Sequence, residues 1–295
     1  MRKIIHDCDC TFGINGCDVD DGLALLYLLG DPDADVLGVT TTYGNSTLET
    51  VYPNTKKFLK DIGREDIPVL KGGSNPEDLD NEASHYLARM AEEYAGELEL
   101  LVTGSVTNLY GAWKINPEFF HQVKRIVMMG GITETLIFAK KVMNELNFAC
   151  DPLAAYTVLT SGADVAVITG NNCLKVLFTK EEYERELADD TKEVVRFIKN
   201  ETDYWFGNLM DEYGIPGYYN WDAVAAAYMM HPELFQAEKK EFHLSVEDLK
   251  TGKLTISKEE NEKNATLEIP VINDSGEFSS NIYDTWKNVE FGTKK

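Results

Sequence analysis

The stretch Ile4-Ile5-His6-Asp7-Cys8-Asp9, the loop Cys10 to Cys17, and then Asp18-Val19-Asp20-Asp21 decide the reading of this chain. An apolar strand runs straight into acids. After a short Gly-containing loop, an acid pair heads the apolar helical run that begins at Gly22. Carboxylates gathered at the carboxyl end of a strand and the head of a helix repel one another unless a cation or a polyol ligand sits among them. This region is therefore the candidate active site. Singly, Asp20, Asp21 or the later Asp222 reads as a helix cap; several acids around one loop read better as a ligand site.

Outward from this unit, strand and helix patterns alternate. Lys3 to Cys8, Asp35 to Thr42, Pro68 to Leu70, Leu98 to Thr103, Arg125 to Met129 and Asp164 to Thr169 read as strands. Asp20 to Leu29, Thr47 to Ile62, His85 to Tyr94, Val106 to Ile115 and Pro152 to Ser161 read as helices. The alternation implies an α/β fold in one domain, 1-295, with a mainly parallel, Rossmann-like central sheet covered by helices on both faces. Beyond it the pattern predicts a long polar helix, Glu181 to Tyr213, an apolar helix, Trp221 to Met230, and further C-terminal helices. A small hairpin is expected to pair Gly252 to Lys258 with Ala265 to Ile272. Ligands in such sheets bind at the carboxyl ends of the strands, where Asp9, Asn45, Thr103, Asn108 and Met129-Gly130-Gly131 fall.

The 295 residues carry 50 acids against 28 Lys plus Arg, a formal charge of -22. Such a chain repels nucleic-acid phosphates and anionic membranes, so neither is an expected partner, whereas uncharged nucleosides remain open. Met1-Arg2-Lys3 leads directly into a strand, and no later run has membrane-spanning length, so the expected location is cytoplasmic. Five cysteines without framework spacing point to free thiols. Cys8, Cys10 and Cys17 near His6 allow a zinc reading, disfavoured because residues 8 and 10 share a strand face that Asp7 and Asp9 do not. Hard carboxylate oxygens without histidine favour calcium or magnesium.

Taken in order, several motifs resemble the nucleoside hydrolase family: Asp7-Cys8-Asp9 with Asp20-Asp21-Gly22-Leu23-Ala24-Leu25, Thr42-Tyr43-Gly44-Asn45, Val102 to Asn108, Val127 to Gly131, Asn144-Glu145-Leu146-Asn147 with Asp151-Pro152, and Trp221-Asp222-Ala223-Val224-Ala225. The resemblance implies calcium-dependent hydrolysis of the N-glycosidic bond of ribonucleosides. Asp9, Asp21, the Thr103 carbonyl and Asp222 would hold calcium, and Asp9 would take the proton of the attacking water. Asp20 and Asn147 would bind the ribose 2- and 3-hydroxyls, Glu145 and Asn144 the 5-hydroxyl, with Asn45 and Met129 lining the sugar pocket. A homo-oligomer, dimer or tetramer, is expected.

Two departures carry information. Cys10 to Cys17 lengthen the turn between the acids, and the segment from Gly131 to Asn144 is short. Where many family members place a histidine before the last calcium aspartate, this chain has Trp221, so Gly217-Tyr218-Tyr219-Asn220-Trp221-Asp222 resembles the purine-specific branch, in which an indole stacks on the base. His85 is the competing candidate for the proton donor to the base. Two other readings compete: a haloacid-dehalogenase-like phosphatase with Asp7 as nucleophile, and a non-catalytic nucleoside-binding protein.

Overall fold

The computed structural model describes residues 1–139, 141–259 and 261–292. Its centre is an eight-stranded sheet. The strands are β1 (Arg2–Cys8), β2 (Ala34–Thr41), β3 (Val69–Lys71), β4 (Leu98–Val102), β5 (Arg125–Met129), β6 (Val165–Ile168), β7 (Phe235–Phe242) and β8 (Ala265–Ile272), in the spatial order β7-β8-β6-β5-β4-β1-β2-β3. All neighbours pair parallel except β7 with β8. The expected α/β architecture is thus present.

Alternation along the strands divides the interior into two cores. Ile4, Leu101 and Val127 face one, and their neighbours Ile5, Leu100 and Ile126 face the other. This is why the parallel strands read as continuous apolar runs. The first core is roofed by helices Asp20–Gly30, Leu48–Asp61, Glu193–Tyr213, Trp221–Met230 and Ser275–Lys287; the second by Glu82–Glu93, Thr107–Ile115 and Pro152–Leu159. Every residue of Asp20–Gly30 is buried, because Trp221–Met230 and Ser275–Lys287 close over it. The Trp286 indole N–H donates to the Leu23 carbonyl at 2.9 Å across that contact.

Two expectations need correction. The late hairpin is not Gly252 to Lys258 against Ala265 to Ile272: β8 pairs with Phe235–Phe242 and, on its other side, with β6. The sequence of β7, Phe-Gln-Ala-Glu-Lys-Lys-Glu-Phe, lacks apolar alternation because it is an edge strand exposed along its middle. Residues 252 to 258 instead form turns with single bridges at Lys253 to Ile132 and at Ile256 to Phe242. The long polar helix is two, Lys180–Glu186 and Glu193–Tyr213. The break falls where Asp189 folds back to accept from the Thr191 hydroxyl at 2.5 Å, a local bond that competes with the helix.

Candidate active site

The segments at the carboxyl ends of β2, β4, β5 and β6 open into one cavity of about 310 Å³. Asp20, Asn45, Thr103, Met129, Asn144, Glu145, Asn147, Trp221 and Asp222, all named from sequence, line it. Asp9 and Asp21 lie buried at its floor. Among the described residues, no Lys or Arg lines it.

The inserted loop explains how the acids converge. Successive turns, Ile14 N–H to the Thr11 carbonyl and Cys17 N–H to the Ile14 carbonyl, both 3.0 Å, wind it outward. It is held by Asn54, whose Nδ2 donates to the Cys10 and Phe12 carbonyls at 3.2 and 3.1 Å, and by the Tyr204 hydroxyl, which donates to the Cys17 carbonyl at 3.1 Å. Phe12 then lies on Gly22, where a Cβ would come within 2.3 Å of its ring, so the chain re-enters at Asp20-Asp21 directly beside the end of β1.

Asp20, Asp21 and Asp222 present carboxylate oxygens within 4.8 Å of one another, all buried. Asp9 joins them through Asn45: the Asn45 backbone N–H donates to Asp9, and its Nδ2 stands 3.4 Å from Asp9 Oδ1 and 3.5 Å from Asp21 Oδ2. Burial, then repulsion from Asp18 and Asp21, pushes the Asp20 carboxyl well above the usual range; burial and Asp9 do the same for Asp21, and burial with Asp20 and Asp21 for Asp222. Burial raises Asp9 to about 6 against the Asn45 N–H. Such a set is costly as bare anions and fits a hard cation, with oxygen donors only. The Asn147 Nδ2 donates to the Thr103 carbonyl at 2.9 Å and the Met129 carbonyl at 3.0 Å, which ties β4 to β5 under the cavity.

His6, Cys8 and Asp21 form a second group of nearby donors, but Cys10 and Cys17 do not belong to it. All five cysteines are free thiols. Asp7, the nucleophile of the phosphatase reading, is buried, with Oδ2 accepting from Thr40 at 2.6 Å and Asn108 at 2.8 Å. It braces β1 against its neighbours and stands away from the cavity lining. His85 lies on an exposed face paired with Asp80 at 2.6 Å and is likewise absent from the lining.

The cavity also includes residues that sequence reasoning did not assign: Asp18, Leu136, Met143, Leu146 and Gly170. Asp18 had a signal, its place in the acid-rich loop. Leu136 and Met143 had none, because they meet only where the Met143 N–H donates to the Leu136 carbonyl at 2.9 Å, at the base of the short hairpin of Ile137–Phe138 and Lys141–Val142. Glu145 lines the cavity while its carboxylate accepts from the backbone N–H groups of Gly131, Phe148 and Ala149, at 3.1, 2.9 and 3.0 Å.

The fold recurs in solved proteins. A plant nucleoside hydrolase superposes with a TM-score of 0.85 at 22% identity, covering 97% of this chain and 99% of that one. A purine-preferring ribonucleoside hydrolase from Gardnerella vaginalis gives 0.84 at 24% identity, over 98% and 99%. In sequence, the probable uridine nucleosidase 1 of Oryza sativa subsp. japonica is 26% identical, over 79% of this chain and 80% of its own. The model of the inosine-uridine preferring nucleoside hydrolases matches residues 4–280, which includes every acid of the cavity floor, and the chain belongs to that family.

Proposed function

We propose that this chain hydrolyses the N-glycosidic bond of ribonucleosides to ribose and free base, using calcium and preferring purines. The observation that carries this reading is the meeting of Asp9, Asp20, Asp21 and Asp222 at the floor of a cavity whose lining has no basic side chain among the described residues. Asp9, Asp21, the Thr103 carbonyl and Asp222 would hold the ion. When bound, calcium supplies the charge that these acids lack and acidifies a water.

The chain's own groups account for the rest. Asp9, oriented by the Asn45 backbone N–H, is the base for the attacking water. Bond cleavage builds positive charge on the ribose, which the surrounding carboxylates stabilise. Water attacks from the face opposite the base, as in inverting glycosidases. Asp20 and Asn147 take the vicinal hydroxyls. Since Asn147 spends its Nδ2 on two carbonyls, its Oδ1 is the atom left to accept from the sugar. Asn45 and Met129 line the sugar, and Asn144 and Glu145 stand toward its 5′ end.

Trp221, half-buried at the cavity wall with Tyr219 at 5.8 Å and Phe138 at 6.2 Å between ring centroids, offers an indole for the base and supports purine preference. The name of the rice relative favours uridine as a second reading. The free thiols support a reducing, cytoplasmic setting.

The deciding experiment is base release from uridine, cytidine, inosine, adenosine and guanosine by protein stripped with chelator and refilled with calcium, magnesium or zinc. Calcium should restore release, with purines ahead. Release led by uridine would favour the second reading, and no release from any of them with any metal would sink both.

A further inference from the structure

Among the acids that line the cavity, Asp20, Glu145 and Asp222 have a part in the reading above and Asp18 has none. We propose that Asp18 selects the base: its carboxylate accepts from an exocyclic 2-amino group, which makes guanosine and other 2-aminopurine ribonucleosides the favoured substrates. The proposal rests on the nucleosidase reading above and narrows its substrate class.

The base lies on the side of Trp221. Phe138 and Tyr219 pack around that indole, and Phe138 carries the contact on to Tyr213, with 4.6 Å between ring centroids. Asp18 belongs to the same side: it stands within electrostatic reach of Tyr213 and Tyr218, and Tyr204, on the helix that ends at Tyr213, bonds the carbonyl of its neighbour Cys17. Asp20 does too, since its carboxylate lies within 4.8 Å of that of Asp222, next to Trp221, whereas Asn147 is tied to Thr103 and Met129 and leads back to Glu145. Asp20 therefore takes the hydroxyl nearer the base, the 2-hydroxyl. In a ribonucleoside with its base anti, the edge on that side is N3 with the 2-substituent in a purine and O2 in a pyrimidine, while C8–H or C6–H turns toward the 5′ carbon. A side chain beside Asp20 on the base side faces this edge, and Asp18 is that side chain.

Asp18 is held for the purpose. The Thr11 hydroxyl donates to its backbone carbonyl at 2.9 Å, and the Val19 N–H donates to its Oδ1 at 2.7 Å. No N–H among the described residues bonds Oδ2, and the side chain is partly open, so an acceptor faces the cavity. Desolvation raises this carboxyl, and the Val19 N–H and the bond with Asp20 oppose the rise by favouring the charged form. Guanine offers that acceptor the N–H of its 2-amino group. Hypoxanthine and adenine turn only the N3 lone pair toward it, and pyrimidines their O2, and a carboxylate repels both. The Val19 bond also decides what an amide does here: its oxygen stays on the Val19 N–H and its Nδ2 turns to the cavity, so acceptor becomes donor.

The test is base release from two pairs that differ only in the 2-amino group, guanosine with inosine and 2,6-diaminopurine riboside with adenosine, with uridine alongside. In the parent the 2-amino member of each pair should lead in kcat/KM by about tenfold to a hundredfold, the scale of a hydrogen bond to a charged group. In Asp18→Ala both ratios should fall to about one, and in Asp18→Asn to one or below, because Nδ2 then faces the amino group and favours N3. Ratios taken within each protein cancel any change at the sugar or the ion, and their shift from parent to variant cancels the intrinsic lability of each bond. Parent ratios near one, a preference in one pair alone, or ratios that survive in Asp18→Asn would overturn the assignment of Asp18 and leave the nucleosidase reading standing. Release from none of the five nucleosides would overturn both.

Discussion

The Thr103 hydroxyl donates to Asp21 Oδ1 at 2.6 Å and stands 2.9 Å from His6 Nε2. Because its one proton goes to Asp21, it must accept from His6, which makes His6 the Nε2–H tautomer. Burial holds the His6 ring down to about 3, so it is neutral, and its buried Nδ1 has no partner among the described residues. One hydroxyl therefore joins β1, β4 and the head of the first helix beneath the cavity.

Thr103→Val keeps the shape and strands two buried groups. It should cost about 1–3 kcal/mol of stability and lower base release at least tenfold, whereas Thr103→Ser should recover most of both. Denaturant unfolding and base-release rates check this. A valine variant as stable and active as the parent would remove the link.

The acid cluster predicts opposite signs with and without a cation. Asp222→Asn should weaken calcium retention after dialysis by about tenfold or more and lower Tm in calcium, because it removes a charged ligand. In chelator the same variant should melt above the parent, since one of the mutually repelling buried carboxylates is gone. Calorimetry in both buffers reads the crossing; a variant less stable in both would argue that Asp222 is bonded for structure alone.

If the Trp221 indole assists the departing base, Trp221→Ala should lower inosine turnover by roughly tenfold to a thousandfold, and p-nitrophenyl riboside, whose leaving group needs no proton, much less. His85→Ala should change neither, as that ring sits on an exposed face with Asp80. Equal losses on both substrates in the tryptophan variant would reduce Trp221 to packing.

His231 bridges Asp31 at 2.8 Å and Glu233 at 2.9 Å, linking the ends of helices Asp20–Gly30 and Trp221–Met230. Burial opposes its charge, but the bonds and charges of Glu233 and Asp31 prevail and raise its pKa. A group whose folded pKa is raised contributes fully below its unfolded value, about 6.5, and loses that contribution as pH climbs through the folded value. The Tm gap between parent and His231→Gln should thus be roughly 1–3 °C wider near pH 5.5 than near pH 9, small because the ring is partly exposed. A gap that widens with pH would reverse the assignment.

Local sequence was enough wherever one element decides its own fate. Arg125–Met129 and Trp221–Met230 have the bounds their periodicity implies. The acid-terminated strand and acid-headed helix announced the site, and all but two of the residues named for it line the cavity, with Asp9 and Asp21 at its floor. These features rest on period, caps and charge repulsion, which act over a few residues.

What the tertiary structure alone decided depends on partners far along the chain. Strand β7 is legible only beside β8, because an edge strand wet on its outer side keeps no apolar alternation. Asp18 enters the cavity because Phe12, Asn54 and Tyr204 fold an eight-residue insertion outward and return the chain beside β1. Glu145 reads from sequence as a ligand for a sugar hydroxyl, and only the fold shows that its carboxylate also accepts from N–H groups of Gly131, Phe148 and Ala149 beside the Gly252 turn. A side chain's type and spacing are sequence properties, but which of its lone pairs remain free is set by every segment that packs against it.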